Sequence, residues 1–131
     1  MVGNQPIYPA APNALPVLIV ATGNTARDGT GTITTVMTAG VVGGRIDRIY
    51  LKATGTTTAG MLRVFAKASG GTYRLIGEVS VTAVTPSGTV ASWEGVWTPA
   101  GAAIPMNAGE VIGVATHNAE EFTALPSGGD F

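Results

Sequence analysis

The chain has 131 residues, with seven Lys and Arg against eight Asp and Glu, one His and no Cys. That length suits one domain large enough to bury its own core. The lack of Cys excludes disulfides, thiolate nucleophiles and Cys-ligated metal centres, and a net charge of −1 gives no field to attract nucleic acid or an anionic membrane.

Met1 to Pro16 reads as an extended arm. Pro6, Pro9, Pro12 and Pro16 recur every three or four residues, close to the turn of polyproline II. Each proline lacks an N–H and biases its predecessor to extended geometry, so a helix is excluded. Ile7, Tyr8 and Leu15 are spaced apolar groups suited to docking on a neighbouring surface. The first cationic side chain is Arg27, so the positively charged start of a signal peptide is missing. No stretch approaches the ~18 apolar residues of a membrane span.

From Val17 onward the pattern predicts strands. Val17 to Ala21 is short and apolar, and Thr32 to Thr38 is dense in β-branched residues after the turn dipeptide Asp28-Gly29. Gly40 and Gly43-Gly44 break the chain before Arg45 to Ala53, where Ile49 and Leu51 share one face and Arg48, Tyr50 and Lys52 the other. Met61 to Ala68 alternates again, with Leu62, Val64 and Ala66 opposite Arg63, Phe65 and Lys67. Gly70-Gly71 signals a hairpin into Thr72 to Val84, in which Leu75, Val79 and Val81 oppose Arg74, Glu78, Ser80 and Thr82. Thr89 to Trp97 carries both tryptophans, and Pro99 to Pro105 reads as a connection rich in breakers. Glu110 to Thr116 and Phe122 to Leu125 complete about eight short strands at roughly ten-residue spacing. The expected fold is all-β: a single β-sandwich or jelly-roll-like domain over residues 17–131, preceded by the arm of residues 1–16.

The chemical motifs are weak. Gly55 to Gly60 has the glycine spacing of a phosphate loop, but Met61 and Leu62 stand where Lys and Ser or Thr would be needed. A hydrolytic triad would have to use His117, with Glu120 or Glu121 to orient it and a nucleophile among Ser69, Ser80, Ser87, Ser92 and Ser127. None of these serines stands in a G-x-S-x-G elbow. Glu78 and Glu94, on strands expected to be adjacent, are the pair for glycoside hydrolysis, with Trp93 and Trp97 to stack on a sugar ring. Asp28, Asp47 and Asp130 are too scattered for a calcium loop. Arg45, Arg48, Arg63, Lys67 and Arg74 are spread over three strands and form no nucleic-acid stripe. The expectation is a protein without catalytic, cofactor or metal residues.

Charged residues are only 11% of the chain, against about 25% in a typical soluble domain, while hydrophobic residues are 45%. A surface of small uncharged residues desolvates easily and suits contact with other proteins. Arg45-Ile46-Asp47-Arg48-Ile49, Ala53-Thr54-Gly55-Thr56-Thr57-Thr58-Ala59-Gly60-Met61-Leu62-Arg63, Gly70-Gly71-Thr72-Tyr73-Arg74-Leu75-Ile76-Gly77-Glu78-Val79, Ala83-Val84-Thr85-Pro86-Ser87-Gly88-Thr89-Val90 and the final Gly128-Gly129-Asp130-Phe131 carry a resemblance. Over residues 45–131 the chain resembles small virion proteins of tailed bacteriophages, similar to capsid decoration or cement proteins. The resemblance implies a β-sandwich on the capsid surface, made in the host cytoplasm, that clamps neighbouring subunits of the major capsid protein. It also implies a homo-oligomer, a trimer being favoured. It carries over no individual functional residue. Large aromatics dominate binding hot spots, so the candidate interface residues are Ile7, Tyr8, Leu15, Trp93, Trp97 and Phe131, with two of the last three equally open to a place in the core. The alternatives are another virion component, such as a head–tail connector, tail or spike protein, or a carbohydrate-binding β-sandwich module.

Overall fold

The computed structural model describes residues 11–12, 15–99 and 103–131. Ten strands form among them: β1 (Ala11–Pro12), β2 (Val17–Ile19), β3 (Thr34–Thr38), β4 (Gly44–Ala53), β5 (Gly60–Lys67), β6 (Arg74–Val81), β7 (Glu94–Trp97), β8 (Ile104–Met106), β9 (Val111–Thr116) and β10 (Phe122–Asp130). Every pairing is antiparallel. β1 and β2 both pair with β10, and β7 and β8 both pair with β4, so the first sheet has four columns: β1/β2, β10, β4 and β7/β8. The second sheet runs β3-β9-β5-β6.

These pairs are nested. The chain matches β2 with β10, β3 with β9, β4 with β7 and β8, and β5 with β6. A single long hairpin rolled into two facing sheets gives this order, which is the jelly roll.

Alternation decides what lies between the sheets. In β4 the residues Ile49, Leu51 and Ala53 point inward and are buried, while Arg48, Tyr50 and Lys52 are exposed. Ile46 is also inward although it is three residues from Ile49. The register shifts at Ser127 and Gly128, where Arg48 and Ile46 are successive partners, and the extra residue Asp47 restores the phase. Leu62 and Val64 of β5, Ile112 and Val114 of β9, and Phe122 and Ala124 of β10 complete the facing core.

Both tryptophans belong to that core, being 8% and 6% exposed at Trp93 and Trp97. Trp97 lies on Gly77 so closely that a Cβ there would collide with the indole nitrogen. Trp93 meets Phe122 edge to face, with ring centroids 5.7 Å apart. Of the two places open to these indoles, core and interface, packing between the sheets takes both into the core, which corrects their candidacy as interface anchors on the folded chain.

Several expected strands are shorter, Thr89 to Trp97 being a strand only from Glu94 and Thr72 to Val84 only over Arg74–Val81, and pairing adds others. Ile104–Met106 forms β8 inside the segment read as a connection, because Gly44 to Ile46 supplies a partner edge. Phe122 begins a strand that continues to Asp130 through Pro126 and two glycines. There β4 supplies the ladder, and Gly128 lets the two backbones approach where a Cβ would strike the Arg45 carbonyl. Within the arm, Ala11 and Pro12 pair with Asp130 and Gly129.

Candidate protein-interaction surface

The two outer faces of the sandwich differ. On the β3-β9-β5-β6 sheet, alternation turns Arg63 and Phe65 of β5 outward, yet both are buried. Phe65 is met by Tyr73, and Arg63 is covered by the segment of residues 20–33 between β2 and β3. Its Asn24 takes the backbone N–H of Ala26 on Oδ1 at 3.0 Å and donates from Nδ2 to the carbonyls of Thr30 and Thr32 at 2.9 and 3.0 Å. Asn24 also donates its own N–H to the Thr116 carbonyl at 2.8 Å, which ties the segment to β9. Gly29, at φ 90°, packs so closely on Tyr73 that a side chain would meet its carbonyl. Tyr73 in turn meets Phe65 edge to face at 6.3 Å.

Arg63 is the polar centre of this closed face. Its Nε donates to Glu78 Oε2 at 3.0 Å, and its Nη1 donates to the Asn24 carbonyl at 3.3 Å and to His117 Nδ1 at 3.2 Å. Arg27, on the covering segment, donates to the same Glu78 oxygen at 2.8 Å. Burial pushes the Glu78 carboxyl up, but the hydrogen bond and charge of Arg27, then those of Arg63, outweigh it and hold Glu78 below its ordinary value. Asp28 is also lowered, by the hydrogen bonds from the Thr30 hydroxyl and then its N–H.

This geometry separates the groups that sequence placed in candidate reactions. An arginine can only donate, so His117 Nδ1 accepts and the ring proton sits on Nε2. Glu120 is engaged by the N–H and hydroxyl of Thr58, and Glu121 by the hydroxyl of Thr54. Glu78 and Glu94, expected on adjacent strands, lie in different sheets and face outward on opposite sides of the sandwich. Sheets pack about 10 Å apart before side-chain length is added, beyond the separation at which two carboxylates share one glycosidic bond. Among the described residues, no three His, Asp or Glu side chains come together as a metal site. The tryptophans on which a sugar ring would stack are in the core.

The other outer face is open and apolar. Register places Leu125, Tyr50 and Val96 side by side across β10, β4 and β7, with Thr123, Lys52 and Glu94 in the next outward row. With Pro16 they line a groove of about 330 Å³. Tyr50 and Val96 are 44% and 48% exposed, and Leu18, on the far side of β10 in the row of Thr123, is 55% exposed. Leu15, one of the expected contact residues, stands 72% exposed at the same edge.

A second apolar feature stands at one end of this sheet. The chain passes from β3 to β4 through Gly40-Val41-Val42-Gly43, closed by the Gly43 N–H on the Gly40 carbonyl at 3.0 Å. Gly43 has φ 86°, open to glycine without penalty, and a Cβ there would strike the Met106 carbonyl. Asp130 Oδ1 accepts the Gly40 N–H at 2.9 Å, and Phe131 donates its N–H to the Gly43 carbonyl at 3.1 Å. Held in this way, Val41 and Val42 are 94% and 71% exposed. Phe131, expected as an anchor, is partly buried against this turn, while Ile7 and Tyr8 lie outside the described residues.

Sequence reasoning missed Val41, Val42 and Val96 as contact residues. The signal for the turn was its setting: two β-branched residues between glycines, where Asn, Asp, Ser or Pro would serve the backbone better. Tyr50 was legible as the aromatic on the charged face of its strand. No protein-family model matches the chain, and no curated protein matches it.

Proposed function

We propose that this chain is a virion structural protein that decorates a bacteriophage capsid and stabilises it by clamping neighbouring subunits of the major capsid protein. The observation that carries the reading is the Val41-Val42 turn. Two valines project into solvent on a backbone pinned by Gly40, Gly43, Asp130 and Phe131, and local structure gives no reason for them. Such a projection gains its free energy when another surface takes it from water. Burying each valine contributes about 1.5–3 kcal/mol. That is modest for one copy and large for an oligomer, such as the favoured trimer, whose copies bind together. Ala11 pairs with Asp130 beside this turn, so the segment that carries Ile7 and Tyr8 joins the described chain at this same end. Clamping of this kind needs area and shape only, which fits a chain with few charges and a closed polar network on its opposite face.

The test uses capsids assembled without this chain. Added protein is expected to bind saturably and to raise the temperature at which the shells disrupt. The double substitution Val41→Asp with Val42→Asp should weaken binding about a hundredfold or more, with the unfolding midpoint of the free protein unchanged. Shells that take up no protein, or that bind the double variant as tightly as the parent, would overturn the reading.

A further inference from the structure

We propose that the groove over Tyr50 and Val96 receives the proline-rich segment Pro6 to Pro9 of a second copy of this chain, so that copies are joined by exchanged arms. The groove is shallow, apolar and built around an exposed aromatic ring, with Leu125, Pro16 and Val96 as its walls and the Lys52 and Glu94 pair at its rim. Surfaces of that chemistry take polyproline II chains, whose rings pack on aromatics and whose stiffness limits the ordering cost. Pro6, Pro9 and Pro12 fall three residues apart, the repeat that sets prolines along one edge of such a helix. Ile7 and Tyr8 lie between the first two and add apolar side chains suited to the Tyr50, Val96 and Leu125 walls.

Chain reach excludes the groove of the same copy. Going from Pro12 to Ala11 the chain moves from the level of Gly129 to that of Asp130, away from Leu125. Leu125 lies five residues back along β10, about 17 Å, and Tyr50 stands one strand further across the sheet, so Ala11 and Tyr50 are about 20 Å apart. Tyr8, Ile7 and Pro6 are three, four and five residues upstream of Ala11, at most about 11, 14 and 18 Å of fully extended chain, and the reversal demanded by the direction at Ala11 takes up part of that length. At Ala11 the backbone therefore heads away from the groove of its own copy. Exchange of this heterologous kind closes into a ring when the rotation between copies permits. It leaves the Val41-Val42 turns of all copies free to face a shell.

The absence of Cys makes the contact directly testable. Tyr8→Cys and Val96→Cys, prepared as separate full-length proteins, are mixed under mild oxidation. A disulfide-linked pair is expected to form at least tenfold faster than between Tyr8→Cys and Ser80→Cys, whose cysteine lies on the exposed edge strand of the other sheet. Light scattering of the unsubstituted chain should give a mass above that of one 13.1 kDa copy, and Val96→Lys should lower it without unfolding the domain. Equal cross-linking rates, a monomer mass, or an intrachain disulfide in a protein carrying both substitutions would each overturn arm exchange. The outcome is separable from the decoration reading. A monomer that still binds shells leaves decoration standing alone, and a closed oligomer that ignores shells leaves arm exchange standing alone.

Discussion

Arg63 is 2% exposed, in a chain with only seven basic residues. Its charge is tolerated because Glu78 neutralises it and the Asn24 carbonyl and His117 Nδ1 take further donors. Breaking a buried pair by removing one partner destabilises strongly, because the other charge stays behind without compensation. Glu78 is partly open to solvent, 30% by side chain, so the cost of Glu78→Gln is expected to be smaller, about 1–3 kcal/mol in a denaturant titration. The pH dependence follows from the lowered carboxyl. The stabilisation is complete above the ordinary value of 4.5 and is lost as pH falls through the lower folded value. Unfolding midpoints taken from pH 6 down to pH 3 should fall more steeply for the parent than for Glu78→Gln. Parallel curves would show that Glu78 does not hold the Arg63 network together.

At the scale of elements, the segment 20–33 serves as the lid of one sheet. Asn24 organises it, satisfying two carbonyls and one N–H of its own segment. Asn24→Ala leaves those groups without their partners and is expected to cost about 1–3 kcal/mol. It should also expose residues 25–32 to protease while the core stays folded; unchanged cleavage would contradict the assignment of Asn24 as organiser. Most strands were legible in sequence because alternation is a local signal: Ile49 and Leu51 against Arg48, Tyr50 and Lys52 reads the same in both. What escaped was set by distant partners. β8 exists because Gly44 to Ile46 offers an edge, and β10 continues through Pro126, Gly128 and Gly129 because β4 holds it. The burial of Arg63 depends on a lid whose Asn24 lies 39 positions earlier, and Phe65 is met by Tyr73 on the approach to β6. The tryptophans were legible as large apolar groups, but the space for Trp97 depends on Gly77 in the opposite sheet and that for Trp93 on Gly95 and Phe122.

For the whole molecule, the asymmetry between the two faces organises the account. One sheet has its middle strands β9 and β5 covered by its own chain, with an ion network fixing the cover, while β6 at its edge stays exposed. The other leaves Tyr50, Val96, Leu18 and Leu125 to solvent or to a partner, and the valine turn and arm exit stand at its end. A rolled hairpin has two such faces to assign, and this sequence spends its lid on one of them. Contacts made through uncharged groups should persist in high salt, since there is little Coulomb attraction to screen. The measurement that tests this account most directly is amide hydrogen exchange of the protein bound to capsid shells, compared with the free protein. The account predicts slowed exchange at residues 40–43, with residues 20–33 unchanged by binding. Slowing confined to residues 20–33, with the valine turn exchanging as in the free protein, would contradict it.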